Sequence, residues 1–252
     1  MILLLAGTYE ARMLARQIAA RGWAAQASLA GATRTPETLD LPTRHGGFGG
    51  ADGFRAHLAD HGISCVLDAT HPFANRISAR SHAICAELGL PYALLRRPAW
   101  DTDAPKWHDA ADHGALPALI PEAARVFLAT GRQSLPQLGP LAQGRKLFLR
   151  QIDPMEPHVI PPEGVELVIG RPPFSLIQER SLLRRLRIDW LVVKNAGGQG
   201  GFAKLTAARE LGLGVAILRR PPPPEGARIF ADVAGAMTWL EERMTDRTGT
   251  DD

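Results

Sequence analysis

The chain is expected to be an α/β protein made of two consecutive units, each a mainly parallel sheet. Three observations carry this expectation. Short apolar runs alternate with segments whose apolar residues recur at helical spacing. The strand-like runs are continuously apolar rather than alternating, as in strands covered on both faces. The alternation fades between about residues 98 and 121 and then restarts.

The elements follow in order. MILLLAG reads as a buried strand. Ala11, Leu14, Ala15, Ile18 and Ala19 then mark one face of a helix that Gly22 stops, with Gly7 as a candidate N-cap. WAAQASLAG is a second strand, and TRHGGFGG a short third one that breaks into a glycine-rich turn. A helix over 52–61 leads to the strand ISCVLDA. The next helix is expected to begin with Pro72 at its first position and to end at Gly89. PYALLRR closes a first domain, placed at residues 1–100. In a second, placed at 101–252, ARVFLAT, KLFLRQI, VELVIG, IDWLVVKN and GVAILRR read as strands. Helices fit 175–187, 203–211 and 231–244, the last with Val233, Met237, Leu240 and Met244 on one face. RRPPPPEG is a stiff connector.

Composition narrows the function. The 252 residues are 45% hydrophobic and carry a formal charge of +3. The longest apolar run is far too short to span a membrane, and no secretory signal is expected; the expected setting is cytoplasmic. Cys65 and Cys85 form no C-x-x-C pair, and Cys65 is expected to be a buried thiol. The eight histidines are scattered, so no metal site is expected. The basic pI of 9.2 does not imply nucleic-acid binding, because the arginines are dispersed and no aromatic platform accompanies them.

In open parallel sheets, ligands bind beyond the carboxyl ends of the strands. Here those ends carry glycine, hydroxyl and cation together. Gly7-Thr8-Tyr9-Glu10-Ala11-Arg12 follows the first strand, and Thr70-His71-Pro72 follows CVLDA. Thr130-Gly131-Arg132, Gly170-Arg171, Lys194-Asn195 with the later Lys204, and Arg219-Arg220 follow others. Glycine lets backbone amides approach an anion, and a cation completes the site. The first loop matches only one glycine of the dinucleotide fingerprint G-x-G-x-x-G. An NAD site places an acid after its second strand; this chain has SLAGATRT, whose Ser28, Thr33 and Arg34 suit a 2′-phosphate, so NADPH is the expected cofactor. The same absent acid argues against a doubly wound methyltransferase. A non-catalytic nucleotide-sensing module stays open.

GTYEAR, DATHPFANRIS, RRPAW, ATGR and VVKNAGGQGGFAKLTAARELGLGVAILRRP occur in this order. Together they closely resemble the precorrin-6A reductase family of cobalamin biosynthesis, from Leu5 to about Pro221. The early RHGGFGG is more glycine-rich than the family pattern. The resemblance implies two Rossmann-like domains with NADPH and a tetrapyrrole, precorrin-6A, in a cleft between them. It implies hydride transfer to the C18–C19 double bond of the ring, with product hand-over to the next pathway enzyme. It makes Gly7, Thr8, Glu10 and Arg12 a first active-site loop, and Asp68, Thr70, His71, Pro72 and Asn75 a second. Thr130, Gly131, Arg132, Lys194, Asn195 and Lys204 would line the other wall. Among these, Glu10, Arg12, Asp68, Thr70, His71 and Asn75, with Arg97, are expected to face the ring, whose acetate and propionate groups suit arginine. No general acid is named by the pattern; His71 is the candidate, although its expected role is to position an anion.

Overall fold

The computed structural model describes residues 1–31, 38–155 and 158–248. The chain divides into two compact units, Met1–Pro98 with Pro221–Asp252, and Ala99–Arg220. The first boundary falls where the periodicity fades. The second domain, placed at 101–252, does not keep its C-terminus: the chain returns to the first unit at Pro221.

The first unit holds β1 (Ile2–Leu5), α1 (Tyr9–Ala20), β2 (Ala25–Leu29), β3 (Thr43–His45), α2 (Ala51–Asp60), β4 (Cys65–Asp68), α3 (Asn75–Glu87) and β5 (Tyr92–Leu95). The second holds β6 (Trp107–Ala110), α4 (Leu116–Leu119), β7 (Arg125–Ala129), α5 (Gly139–Ala142), β8 (Lys146–Gln151), β9 (Val165–Ile169), α6 (Leu176–Arg185), β10 (Trp190–Lys194), α7 (Ala203–Glu210) and β11 (Gly214–Leu218). β12 (Arg228–Phe230) and α8 (Val233–Thr248) complete the first unit.

Both sheets are six-stranded, in the orders β12-β5-β4-β1-β2-β3 and β6-β11-β10-β7-β8-β9. Every strand pair is parallel. Five strands of each follow the doubly wound order 3-2-1-4-5 (β3-β2-β1-β4-β5 and β9-β8-β7-β10-β11), and the strand beside the fifth breaks the chain order. β12 joins β5 after the whole second unit has intervened, and β6, the first strand of the second unit, lies beside its last, β11.

The alternation of β1 builds two core layers in the first unit. Ile2 and Leu4 pack with Ala11, Leu14 and Ile18 of α1 and Met237 and Leu240 of α8. Leu3 and Leu5 pack on the other face with Phe54 and Leu58 of α2 and Ile84 of α3. In the second unit Phe127, Phe148, Leu183, Leu191, Val193 and Leu205 form one such layer. Cys65 and Cys85 are both buried, and burial pushes the Cys85 thiol up to about 12.

Two local expectations are corrected. Thr8, not Gly7, caps α1, because its hydroxyl accepts from the Ala11 N–H at 3.1 Å. Pro72 is not the first residue of α3, which begins at Asn75. Residues 72–73 form a turn instead, closed by the Ala74 N–H donating to His71 O at 2.7 Å.

Candidate functional site

In the first sheet the strand order reverses between β1 and β4, and the loops beyond their carboxyl ends carry most of the motif residues. Thr8 joins these two loops. While capping α1, its hydroxyl donates to Ala69 O at 2.8 Å. Its side chain is thereby committed, leaving backbone as its means of meeting a ligand. Gly7 has φ +149° and no atom within 4 Å of where a Cβ would stand, so the backbone there is open to close approach.

Asp68 lies beneath the loop. It is fully buried and accepts three hydrogen bonds: from Thr70 N–H at 2.9 Å, Thr70 Oγ1 at 2.7 Å and Tyr92 Oη at 2.8 Å. Burial and the Asp68 charge push the Tyr92 phenol up, keeping it a donor. Asp68 therefore shapes the Thr70–His71 turn from beneath, and Thr70 spends its hydroxyl on it. His71 Nδ1 accepts from the Phe73 N–H at 3.2 Å, so in the neutral ring the proton sits on Nε2. Thr70, His71 and Asn75 line a cleft with Arg96 and Pro222–Pro224. It encloses about 20 Å³, room for a water-sized group rather than a cofactor.

Glu10 and Arg97 hold each other. Nη1 of Arg97 donates to Glu10 Oε2 at 2.7 Å, with both side chains more than four-fifths buried. Arg12 lies 5.4 Å from the ring centre of the exposed Tyr9. At the end of β2, Ser28 is buried and its hydroxyl accepts from Arg44 at 2.8 Å. Thr33 and Arg34 lie outside the described residues.

In the second sheet the order reverses between β7 and β10. The residues beyond β7 are Thr130, Gly131 and Arg132. Ser134 Oγ donates to Gly131 O at 2.7 Å, so the buried Thr130 hydroxyl donates to Ser134 at 2.7 Å. Gly131 has φ +78° with open space around it, and Arg132 is exposed. At the end of β10, burial lowers the Lys194 pKa. His113 is held below its usual value by burial and by the Lys194 charge.

Asn195 is a clamp. Its Oδ1 accepts from the Trp100 N–H at 2.9 Å and its Nδ2 donates to Trp100 O at 3.3 Å. The Trp100 indole donates to Gly198 O at 2.7 Å, and a Cβ on Gly201 would stand 2.9 Å from the indole. Trp100 and KNAGGQGG thus interlock in one packed turn. Lys204 donates to Gly201 O at 2.9 Å, and burial lowers its pKa.

Other residues at strand ends serve packing. A Cβ on Gly170 would meet Phe174 at 3.0 Å, so this glycine makes room for a ring. Arg171 pairs with Asp153 at 3.2 Å. Sequence reasoning missed one buried ion pair altogether: Arg150 and Glu179 meet bidentately at 2.7 and 2.8 Å. The guanidinium lies 4.7 Å from the Phe127 ring centre and 4.2 Å from that of Phe174.

In the first unit an open glycine stands where the strand order reverses, and Ser28 rather than an acid stands at the end of β2. Fold and strand-end loops together define a protein of doubly wound α/β architecture. The family model "Precorrin-6x reductase CbiJ/CobK" matches residues 1–241, and the chain belongs to that family. It is 42% identical over 242 residues to a precorrin-6A reductase of Rhodococcus erythropolis, covering 95% of this chain and 96% of that one. A precorrin-6A reductase of Rhodobacter capsulatus is 43% identical over 243 residues, with 96% of each chain covered. The solved structure titled CobK precorrin-6A reductase superposes with a TM-score of 0.89 at 41% identity, covering 96% of each chain. No helix among the described residues is long and apolar enough to cross a membrane.

Proposed function

We propose that this chain reduces precorrin-6A to precorrin-6B in cobalamin biosynthesis, with NADPH as its reduced nicotinamide cofactor. The observation that carries the reaction is family membership over residues 1–241. The choice of NADPH rests on Ser28 standing where an NAD site has an acid. When bound, the nicotinamide supplies a hydride to C19 of the C18–C19 double bond, and a solvent proton completes the neighbouring carbon. The chain's part is to bind, orient and desolvate. Gly7 offers open backbone to the cofactor. Arg97, steadied by Glu10, offers a fixed cation to a ring carboxylate. His71, with Nδ1 committed to Phe73, offers its Nε2–H to the same class of anion. The reaction belongs to the cytoplasm, with hand-over of the product to the next enzyme of the route.

The metal-free ring is the reading we favour over the cobalt-containing one, because the two relatives above, at 42% and 43% identity, are named for it. The experiment is anaerobic incubation with NADPH and either precorrin-6A or cobalt-precorrin-6A, followed by ring absorption and product mass. A gain of two hydrogens on the metal-free ring is expected. Turnover confined to the cobalt ring overturns the substrate, and no reduction of either ring overturns the reaction.

A further inference from the structure

We propose that Arg44 reads the 2′-phosphate of NADPH, held for that task by the glycine-rich turn RHGGFGG. This rests on the NADPH reading above and assigns a residue within it. Arg44 is the central residue of β3, in register with Ser28 at the end of β2. Its Nη1 donates to Ser28 Oγ at 2.8 Å and to Gly46 O at 3.0 Å, and its Nη2 to Gly47 O at 2.8 Å. All three acceptors are neutral. Among the described residues no carboxylate pairs with this guanidinium, and it is half-buried. A partly desolvated cation without a counter-charge attracts an anion, and arginine matches phosphate by geometry as well as charge. Of the five N–H groups a guanidinium carries, the Nε–H and one on Nη2 are left over from these three bonds.

The turn fixes the group in place. The guanidinium carbon lies 4.0 Å from the Phe48 ring centre, and Phe48 meets Phe54 edge-on at 4.8 Å. A Cβ on Gly53 would stand 1.7 Å from Phe48 O, so α2 packs directly against the turn. Gly46, at φ +98°, presents its carbonyl to Arg44, while its own N–H donates to Leu29 O at 2.9 Å. The glycine content that departs from the family pattern thus serves to wrap the chain around one cation. The second sheet contrasts with this. After β8, which lies beside β7 as β2 lies beside β1, stands Asp153, paired with Arg171 at 3.2 Å; there the cation is neutralised and a carboxylate repels phosphate.

The test is calorimetric binding of adenosine 2′,5′-bisphosphate and 5′-AMP, which differ only in the 2′-phosphate, to the full chain. Wild type is expected to prefer the bisphosphate. Arg44→Gln is expected to lose about 10- to 100-fold for the bisphosphate, the worth of a charge-assisted hydrogen bond, with 5′-AMP affinity unchanged. Arg44→Lys, which keeps the charge, should fall between. Ser28→Asp places a carboxylate against Arg44 and should abolish the preference with the turn still folded. Equal losses for both ligands in Arg44→Gln make the residue structural and overturn the proposal, as does a preference retained in Arg44→Gln and Ser28→Asp. A wild-type chain without preference overturns the NADPH reading itself.

Discussion

Asn195 satisfies both backbone polar groups of Trp100, accepting from its N–H and donating to its C=O as a neighbouring strand would. The side chain just after β10 is thus occupied with holding Trp100. Asn195→Ala is expected to destabilise the fold by about 1–3 kcal/mol by leaving these groups without partners, and to red-shift tryptophan emission. Asn195→Asp, which keeps the acceptor and loses the donor, should fall between. Urea unfolding followed by fluorescence checks this. Unchanged stability with weakened cofactor binding would return Asn195 to the role of ligand contact.

The Glu10–Arg97 pair should separate ring binding from cofactor binding. Glu10→Gln removes the charge that steadies Arg97, and Arg97→Gln removes the cation. Each is expected to weaken ring binding by about 10-fold or more, in line with the loss of a charge-assisted hydrogen bond. Dinucleotide affinity should stay within about two-fold of wild type. Titration of each ligand separately decides the matter, and a larger loss on the dinucleotide side would reassign the pair.

For His71 the two ring nitrogens can be tested apart. Asn in its place can still accept from the Phe73 N–H, and Gln can still donate where Nε2 does. If the residue positions an anion, His71→Gln retains more ring affinity than His71→Asn, and both keep the rate of the reduction step. General-acid help is typically worth about 100-fold. Single-turnover kinetics showing such a loss in both variants, with binding intact, would make His71 the proton donor.

Lys204 gives a pH signature. Burial, the leading cause, and the Arg150 charge lower its pKa, while Glu179 opposes them. The folded-state value therefore lies below the unfolded one. Between the two, the folded chain has shed a proton that the unfolded chain still holds. Stability rises with pH through that window and levels off above the ordinary lysine value of about 10.4. Urea unfolding between about pH 7 and pH 10 should show this rise, and Lys204→Met should reduce it. An unchanged slope in the variant would contradict the burial argument.

The neighbouring Arg150–Glu179 pair makes a stability prediction alone. Glu179→Ala leaves a buried guanidinium between two phenylalanine rings, and the expected cost is about 3–5 kcal/mol. Replacing both residues together, as Arg150→Met with Glu179→Leu, should cost much less. A double variant as unstable as the single one would show that the pair is worth more than its desolvation penalty.

Much of the first unit was legible because its central strands are buried on both faces and therefore continuously apolar. The edges were not. β6 (WHDA) and β12 (RIF) pair on one side only, and their residues are largely exposed. They therefore lacked the apolar run that marked the others. β12 also follows the connector RRPPPPEG, which reads as a stiff link within the second domain rather than as a return to the first. At the site, residue types were legible but their duties were not. The family resemblance places Asp68 at the site, yet it is buried and its phenol partner lies 24 residues away. Arg44 was passed over because it was read as part of a strand, and only the register with Ser28 reveals it.

The late arrival of β12 bears on synthesis. A ribosome making this chain releases β1 to β5 first, then the whole of Ala99–Arg220, and only afterwards the segment that finishes the first sheet. Until then β5 is an open edge, and the α1 face of β1 lacks Met237, Trp239 and Leu240 of α8. The inserted unit, by contrast, is contiguous and can close its sheet as soon as β11 emerges beside β6. Order of translation and order of completion are therefore reversed: the part begun first is sealed last. A stop codon near residue 220 would leave an intact second unit attached to an unfinished first one, with an exposed strand edge prone to association.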